Sequence, residues 1–197
     1  MARKNPLAAV AAFRKAFAPG DDASLVLKVS HAEAAPAAIA ELRAACSGAR
    51  ITLIDRVMDR GELASLIHHA DVILSLHRSE GFGLTLAEAM SVGKTVICTG
   101  YSGNMDFTLP GSALLVDYSL VPVGEGNEPY DAAAVWAEPD VEHAAALLRQ
   151  AWMEPAMRAR IGAEARSRVR RELSPETVGG MMKRRLQALH RRFDREQ

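Results

Sequence analysis

The sequence predicts a doubly wound α/β domain: a parallel sheet with helices on both faces. Three observations lead there. Short, near-continuous apolar runs (LVLKV, ITLI, DVILSL, TVIC, ALLV) read as strands buried on both sides. Helical segments separate them, so strand and helix alternate along the chain. The 197 residues, 49% hydrophobic and 24% charged, suffice for one soluble domain with a real core.

Asn5-Pro6 reads as a helix start, with Asn at the N-cap and Pro at the first helical position. Val10, Phe13 and Phe17 then share a face, and Pro19-Gly20 ends the helix. Strand 25–29 follows, then a helix over 35–46 with Ile39, Leu42 and Cys46 on one stripe, then strand 51–54. Asp59 and Glu62 form a capping box for a helix running to His69. Strand 71–76 runs into SEGFGLTLAEAM (79–90), whose LTLAEAM part is helical, with Gly93 near its C-terminus. TVIC (95–98) and ALLV (113–116) are two more strands. The stretch 117–138 has no clear period and reads as a long loop. Beyond it the chain turns helical: Glu138-Pro139-Asp140 and Glu154-Pro155 each open a helix, and Ser174-Pro175 caps the last. We expect one domain over 1–197, with 140–197 as its helical tail. The first element is a helix, whereas doubly wound sheets begin on a central strand. The expectation is therefore a fragment, or the second half of a longer protein.

Composition narrows the function classes. Lys plus Arg equals Asp plus Glu, 24 each, which argues against nucleic acid as the main partner. No apolar run approaches the roughly 18 residues that span a bilayer, and MARKNPLAAVAAF lacks the apolar core of a signal peptide. Cys46 and Cys98 fit a reduced, cytoplasmic protein, with Cys98 in a core strand. There is no CxxC or HExxH, and His68 and His69, being adjacent on a helix, point apart. No metal and no bound cofactor are expected. A dinucleotide dehydrogenase is disfavoured because no GxGxxG follows an early strand.

The stretch 79–90 carries the chemistry. Ligands of open α/β sheets bind beyond the carboxyl ends of the strands. A helix N-terminus there offers free amides and positive dipole to a phosphate. Gly81 and Gly83 let the backbone approach a ligand, so Phe82, Gly83 and Leu84 could hold a phosphate by main-chain donors. Carboxylates repel phosphate but suit hydroxyls. Glu80 before the turn and Glu88 inside the helix could then take the sugar and the ribose of a nucleotide sugar. The plain alternative is that a Glu near a helix start merely favours the dipole.

The motif from Glu80 to Glu88 resembles the E-x7-E of retaining glycosyltransferases with the two-domain GT-B fold. Glycosyltransferase family 4, the glycosyl transferases group 1, is the specific resemblance. RKNPLAAVAAFRKAF (3–17) is similar to the first helix of that family's donor domain, and 51–107 follows its central run. YSGNMDF (101–107) and VWAEPD (135–140) resemble a bacterial branch found in polysaccharide and O-antigen synthesis.

The resemblance implies the C-terminal, donor-binding half of a GT-B enzyme, a hexosyltransferase type acting with retention and without an essential metal. Glu80 would contact the transferred sugar and is the catalytic candidate. Phe82, Gly83 and Leu84 would give amides to the sugar and diphosphate, Glu88 would hold the ribose, and Val57 or Met58 would meet the base. Lys4 would contact the diphosphate; the family's glycine after it is Asn5 here, and Arg3 stands in for an absent basic partner. His77 and Arg78 lie at a strand end, where Arg78 faces a phosphate or solvent. Asn104 and Asp106 touch the donor or cap a short helix. Trp136 and Pro139 read as packing. The basic, amphipathic MMKRRLQALHRRF reads as a solvated face, with peripheral membrane contact as the alternative.

The acceptor, a glycan or glycolipid, would belong to an N-terminal domain absent from this sequence, so the isolated chain should bind donor weakly or not at all and should not turn over. The expected location is the cytoplasm, with the inner membrane face as a variant. Other classes remain: an epimerase or phosphorylase on the same fold, or a non-catalytic binding or assembly domain, with homodimerisation through exposed sheet surface.

Overall fold

The computed structural model describes residues 2–30, 33 and 35–193. A 3₁₀ turn (Ala2–Lys4) leads into α1 (Pro6–Ala16). The chain then alternates β1 (Leu25–Val29), α2 (Pro36–Cys46), β2 (Ile51–Asp55), α3 (Arg60–His69), β3 (Val72–Ser75), α4 (Leu84–Ser91), β4 (Thr95–Thr99), a second 3₁₀ turn (Gly103–Asp106) and β5 (Leu114–Val116). β6 (Tyr118–Pro122) and β7 (Val135–Pro139) follow, then three helices, α5 (Val141–Met153), α6 (Pro155–Glu172) and α7 (Pro175–Phe193).

β1 and β2 pair in parallel, Leu25 opposite Ile51. β3, β4 and β5 form a second parallel group, with Val72 opposite Thr95 and Ile97 opposite Leu114. The alternation of side chains along a strand sorts β4 between two cores. Val96 and Cys98 enter a cluster with Ile67, Leu86, Met90, Phe107 and Ala165, contributed largely by α3, α4 and α6. Ile97 enters the other, with Ala8, Ala12, Ala144 and Leu148 from α1 and α5. A third cluster joins Val10 of α1 to Leu42 of α2 and to Leu25, Leu27, Ile51 and Leu53 of the first strand pair. Helices thus cover both faces of the second strand group, as the alternation of elements predicts, whereas the first strand pair has the single cluster with α1 and α2.

Among the described residues no hydrogen bond pairs β1 with β3. All five residues of β4 are buried, whereas β1 is half-open and Val26 is 43% exposed. α1 bridges this seam, packing on β1 and β3 alike.

Local signals act as expected at most helix ends. The Asp59–Glu62 capping box is complete, with reciprocal bonds of 2.8 and 2.9 Å. Gly93 follows α4 at φ 80°, a conformation glycine adopts without strain. The Ser174 hydroxyl accepts from the Thr177 amide at 3.1 Å. Asn5 differs. It sits at the N-cap of α1 at φ 49°, and its side chain makes no capping bond.

The stretch 117–138 is not a plain loop. It contains most of an antiparallel hairpin in which Tyr118 pairs with Pro139 and Val121 with Trp136. Prolines at the ends of both strands mask the strand signal in the sequence. Pro139 ends β7 rather than opening a helix. Asp140 is the cap of α5, its carboxylate accepting from the Glu142 and His143 amides at 2.9 and 3.0 Å.

α6 docks across α4 and β4. Gly162 permits this approach: a β-carbon there would lie 2.1 Å from the Gly93 carbonyl oxygen. α7 packs chiefly on α6 and leaves Met181, Met182 and Leu186 more than half exposed. Among the described residues no helix is long and apolar enough to cross a membrane.

Candidate functional site

The site forms at the carboxyl edge of β3 and β4, where parallel strands release their loops together. After β3, Leu76 and His77 are fully buried; Arg78, Ser79 and Glu80 then cross to the surface, and Gly81-Phe82-Gly83 turns into α4. Gly83 caps that helix at φ 93°. A β-carbon there would be strained and would press on Asn104 Cβ at 3.3 Å. The amides of Phe82, Gly83 and Leu84 donate to no acceptor among the described residues.

The segment after β4 fixes this loop. The Glu80 amide donates to Ser102 Oγ at 2.7 Å, and the Gly103 amide donates to the Glu80 carbonyl at 3.0 Å. Ser102 takes φ 75° to present that hydroxyl. Gly103 lies so close to the loop that a β-carbon on it would be 2.1 Å from the Gly81 oxygen. Phe82, partly exposed, leans on buried Phe107 with ring centroids 5.0 Å apart.

His77 and Asn104 form an internal strut. Nε2 of His77 faces two acceptors, the Tyr101 carbonyl at 3.3 Å and Asn104 Oδ1 at 3.0 Å. Since a carbonyl only accepts, Nε2 carries the proton, and Nδ1 accepts from Ser75 Oγ at 3.0 Å. Burial lowers the His77 pKa, favouring the neutral ring. Asn104 donates to the Thr99 carbonyl at 3.1 Å and to Thr108 Oγ1 at 3.0 Å. Both side chains are fully buried and tie β3 to β4; Asp106, in the same 3₁₀ turn, is exposed.

Glu80 is the charged centre. Its side chain is 9% exposed, and both oxygens are paired: Oε1 with the Lys4 ammonium, Oε2 with Arg3 Nη1 at 3.3 Å. Burial by itself raises the carboxyl pKa. The hydrogen bond and charge of Lys4, aided by Arg3, outweigh it and hold Glu80 below its ordinary value. Arg3 Nη1 also donates to the Ser79 carbonyl at 2.7 Å. Two cations from the N-terminal turn therefore meet a glutamate 76 positions away.

Glu88 lies exposed in the second turn of α4, and its carboxylate engages no described residue. Val57 is 69% exposed and Met58 half-buried, in the loop between β2 and α3. Arg78 does not face the opening. Its Nε donates to Glu138 Oε2 at 2.6 Å and its Nη1 to the Ala2 carbonyl at 2.9 Å, with the guanidinium 5.3 Å from the centre of a Trp136 ring. Ser79, Ser102, Gly103 and Glu138 were not legible as parts of this site. Only the Ser102-Gly103 pair, a turn signal, hinted at two of them. Among the described residues no three His, Cys, Asp or Glu side chains gather to hold a metal.

The glycine turn, the helix N-terminus and Glu80 lie within a stretch that matches a known sequence family: the profile of the glycosyl transferases group 1 covers residues 37–168, two thirds of the chain. The chain belongs to this family.

Solved structures agree with glycosyl transferases group 1 in fold. HepE of Anabaena, determined in complex with UDP and glucose, matches at a TM-score of 0.74 and 14% identity, over 94% of this chain and 45% of that one. Sucrose-phosphate synthase of Thermosynechococcus elongatus matches at 0.72 and 22% identity, over 95% and 43%. The C-terminal domain of the group 1 protein LpcC from Francisella tularensis matches at 0.65 and 16% identity, over 88% and 81%. The chain thus spans less than half the length of the first two proteins. Its α/β architecture is the Rossmann-like one of GT-B glycosyltransferases. No curated protein matches the sequence.

Proposed function

We propose that this chain is the donor-binding half of a glycosyltransferase that takes a sugar from a nucleoside diphosphate and transfers it with retention, in bacterial cell-surface polysaccharide synthesis. The observation that carries the reading is the meeting of Lys4 and Arg3 with buried Glu80 beside the open amides of α4. Anion donors and a hydroxyl-binding carboxylate stand side by side, as a sugar diphosphate requires.

In this reading the amides of Phe82, Gly83 and Leu84 and the dipole of α4 take the diphosphate. Lys4 and Arg3 offset the charge that grows on it as the glycosidic bond breaks. Glu80 orients the sugar through its hydroxyls, Glu88 accepts from the ribose hydroxyls, and backbone at Val57 and Met58 meets the base. These roles need no metal. The UDP and UDP-glucose complexes of HepE support the donor class, and the likeness in fold to WaaG, a glycosyltransferase involved in lipopolysaccharide biosynthesis, supports the pathway class.

The strand that would fill the seam between β1 and β3, and the acceptor side of the cleft, would come from other polypeptide. Residues 1–197 alone would then bind donor weakly at most and would not turn over, on the cytoplasmic side of the membrane. Calorimetric titration with UDP, GDP, ADP and dTDP tests the reading. One diphosphate should bind, about tenfold more weakly to Glu88→Ala, equivalent to about 1.4 kcal/mol. Indifference of every diphosphate to Glu88→Ala and Lys4→Met would refute it.

A further inference from the structure

Lys4 is a long side chain, 57% exposed, on a three-residue turn. Apart from its ion pair with Glu80, no described contact of the side chain fixes where its charge stands. The backbone on either side of it must do so, and the contacts holding that backbone converge on one pair of residues.

Arg78 grips the turn with main chain and side chain together. Its amide donates to the Arg3 carbonyl at 2.8 Å, and its Nη1 donates to the Ala2 carbonyl at 2.9 Å. Its own carbonyl accepts from the Ala137 amide at 3.0 Å, which fastens it to β7. The guanidinium lies over buried Trp136, and its Nε is held by Glu138 Oε2 at 2.6 Å. The other oxygen of Glu138 lies 3.5 Å from Nδ2 of Asn5, itself buried and left-handed. The segment is thus held at Ala2, Arg3 and Asn5, on both sides of Lys4.

We propose that Arg78 and Glu138 are positioning residues that set where the cations of Arg3 and Lys4 stand relative to Glu80. Glu138 also takes up the charge of Arg78, so that Arg3 and Lys4 remain the cations engaged with Glu80. The hairpin of β6 and β7 is then the outer wall of the site. As a plain, half-exposed ion pair, Arg78–Glu138 would contribute little. Its weight comes from what it holds in place. The geometry stands without the donor reading; the consequence for diphosphate binding rests on that reading.

The test follows the Glu80 carboxyl itself, by carbon NMR titration in wild type, Arg78→Met and Glu138→Gln, with exposed Glu164→Ala as control. Lys4, Arg3 and His77 are the titratable neighbours of Glu80. Arg78→Met keeps an apolar stem over Trp136, and Glu138→Gln is isosteric, so fold and function separate. Loosening the turn should raise the Glu80 midpoint by roughly 0.5 or more in both variants, and leave it unmoved in the control. Folded variants with a midpoint at or below that of wild type overturn the proposal.

Titration with inorganic pyrophosphate is the second readout. Arg78→Met should bind it about fivefold or more weakly. Combined with Lys4→Met it should add clearly less than it costs alone, because one of the two cations it positions is already gone. Full additivity would overturn the proposal. A wild type that ignores pyrophosphate and nucleoside diphosphates would instead sink the donor reading, while the Glu80 titration still decides the positioning.

Discussion

A β-carbon added at Gly103 would stand 2.1 Å from the Gly81 oxygen and 2.9 Å from that of Glu80. One added at Gly162 would stand equally close, 2.1 Å, to the Gly93 oxygen. Both clashes are with backbone, so something must move by about an ångström. The surroundings decide what gives. Gly81 lies in an exposed loop that can lift away, whereas Gly162 is buried where α6 meets α4 and β4. Overpacking of this kind costs about 1–3 kcal/mol. Gly162→Ala should fall at the upper end and Gly103→Ala at the lower, with melting temperatures lowered by roughly 6–12 °C and 2–4 °C respectively. The ranking reverses at the site. Lifting Gly81 displaces Glu80 from Lys4, so Gly103→Ala should raise the Glu80 midpoint and weaken diphosphate binding. Gly162→Ala should leave both unchanged while folded. Thermal denaturation with carboxyl NMR on the two variants checks this. Equal effects on Glu80, or a Gly103→Ala protein indistinguishable from wild type, would refute the argument.

Asn104→Leu should cost about 1–3 kcal/mol in urea unfolding, because it removes the buried bonds of Asn104 to His77, Thr99 and Thr108 together. The lowered pKa of His77 means that the unfolded chain binds a proton more readily. Its contribution to stability is therefore full above the ordinary value of 6.5 and declines as pH falls below it; Asn104 supports the charged ring only weakly. Ring NMR should find His77 still neutral where exposed histidines are half protonated. Glu62, held at about 2 by Arg56 and the Asp59 amide, stabilises the fold above 4.5 and loses that effect as pH falls toward 2. Glu62→Gln should flatten this part of the acid unfolding curve. The Cys98 thiol, fully buried and pushed up to about 12 by burial, should resist iodoacetamide until the protein unfolds globally, as peptide mass spectrometry would reveal.

The sequence made the sheet legible because its strands are short apolar runs bounded by strong stop signals. The capping box at Asp59 and the glycine after α4 act locally and were read in place. The hairpin of β6 and β7 escaped because its prolines and polar residues suit an edge ribbon, where pairing and not apolar periodicity makes the strand. Arg78 shows the same limit at the site. Its position beside the loop was plain, but its orientation is decided by Glu138, sixty positions further on. Asn5 looked like an ordinary cap, and its left-handed backbone answers to a tertiary contact that no local pattern encodes. His77 reads as a polar residue at a strand end and Asn104 as a donor contact or a helix cap; only their mutual distance makes them a strut.

The seam between β1 and β3 bears on cooperativity. Among the described residues no ladder crosses it, so the first strand pair with α2 and the second strand group with its covering helices read as two units, and α1 packs against both. Val10 belongs to one and Ala8 and Ala12 to the other. The residues just ahead of α1 are the cations that meet Glu80. A load on Lys4 is therefore delivered to a helix that packs against both units, so a change at the site should be felt in how the two halves of the sheet are coupled.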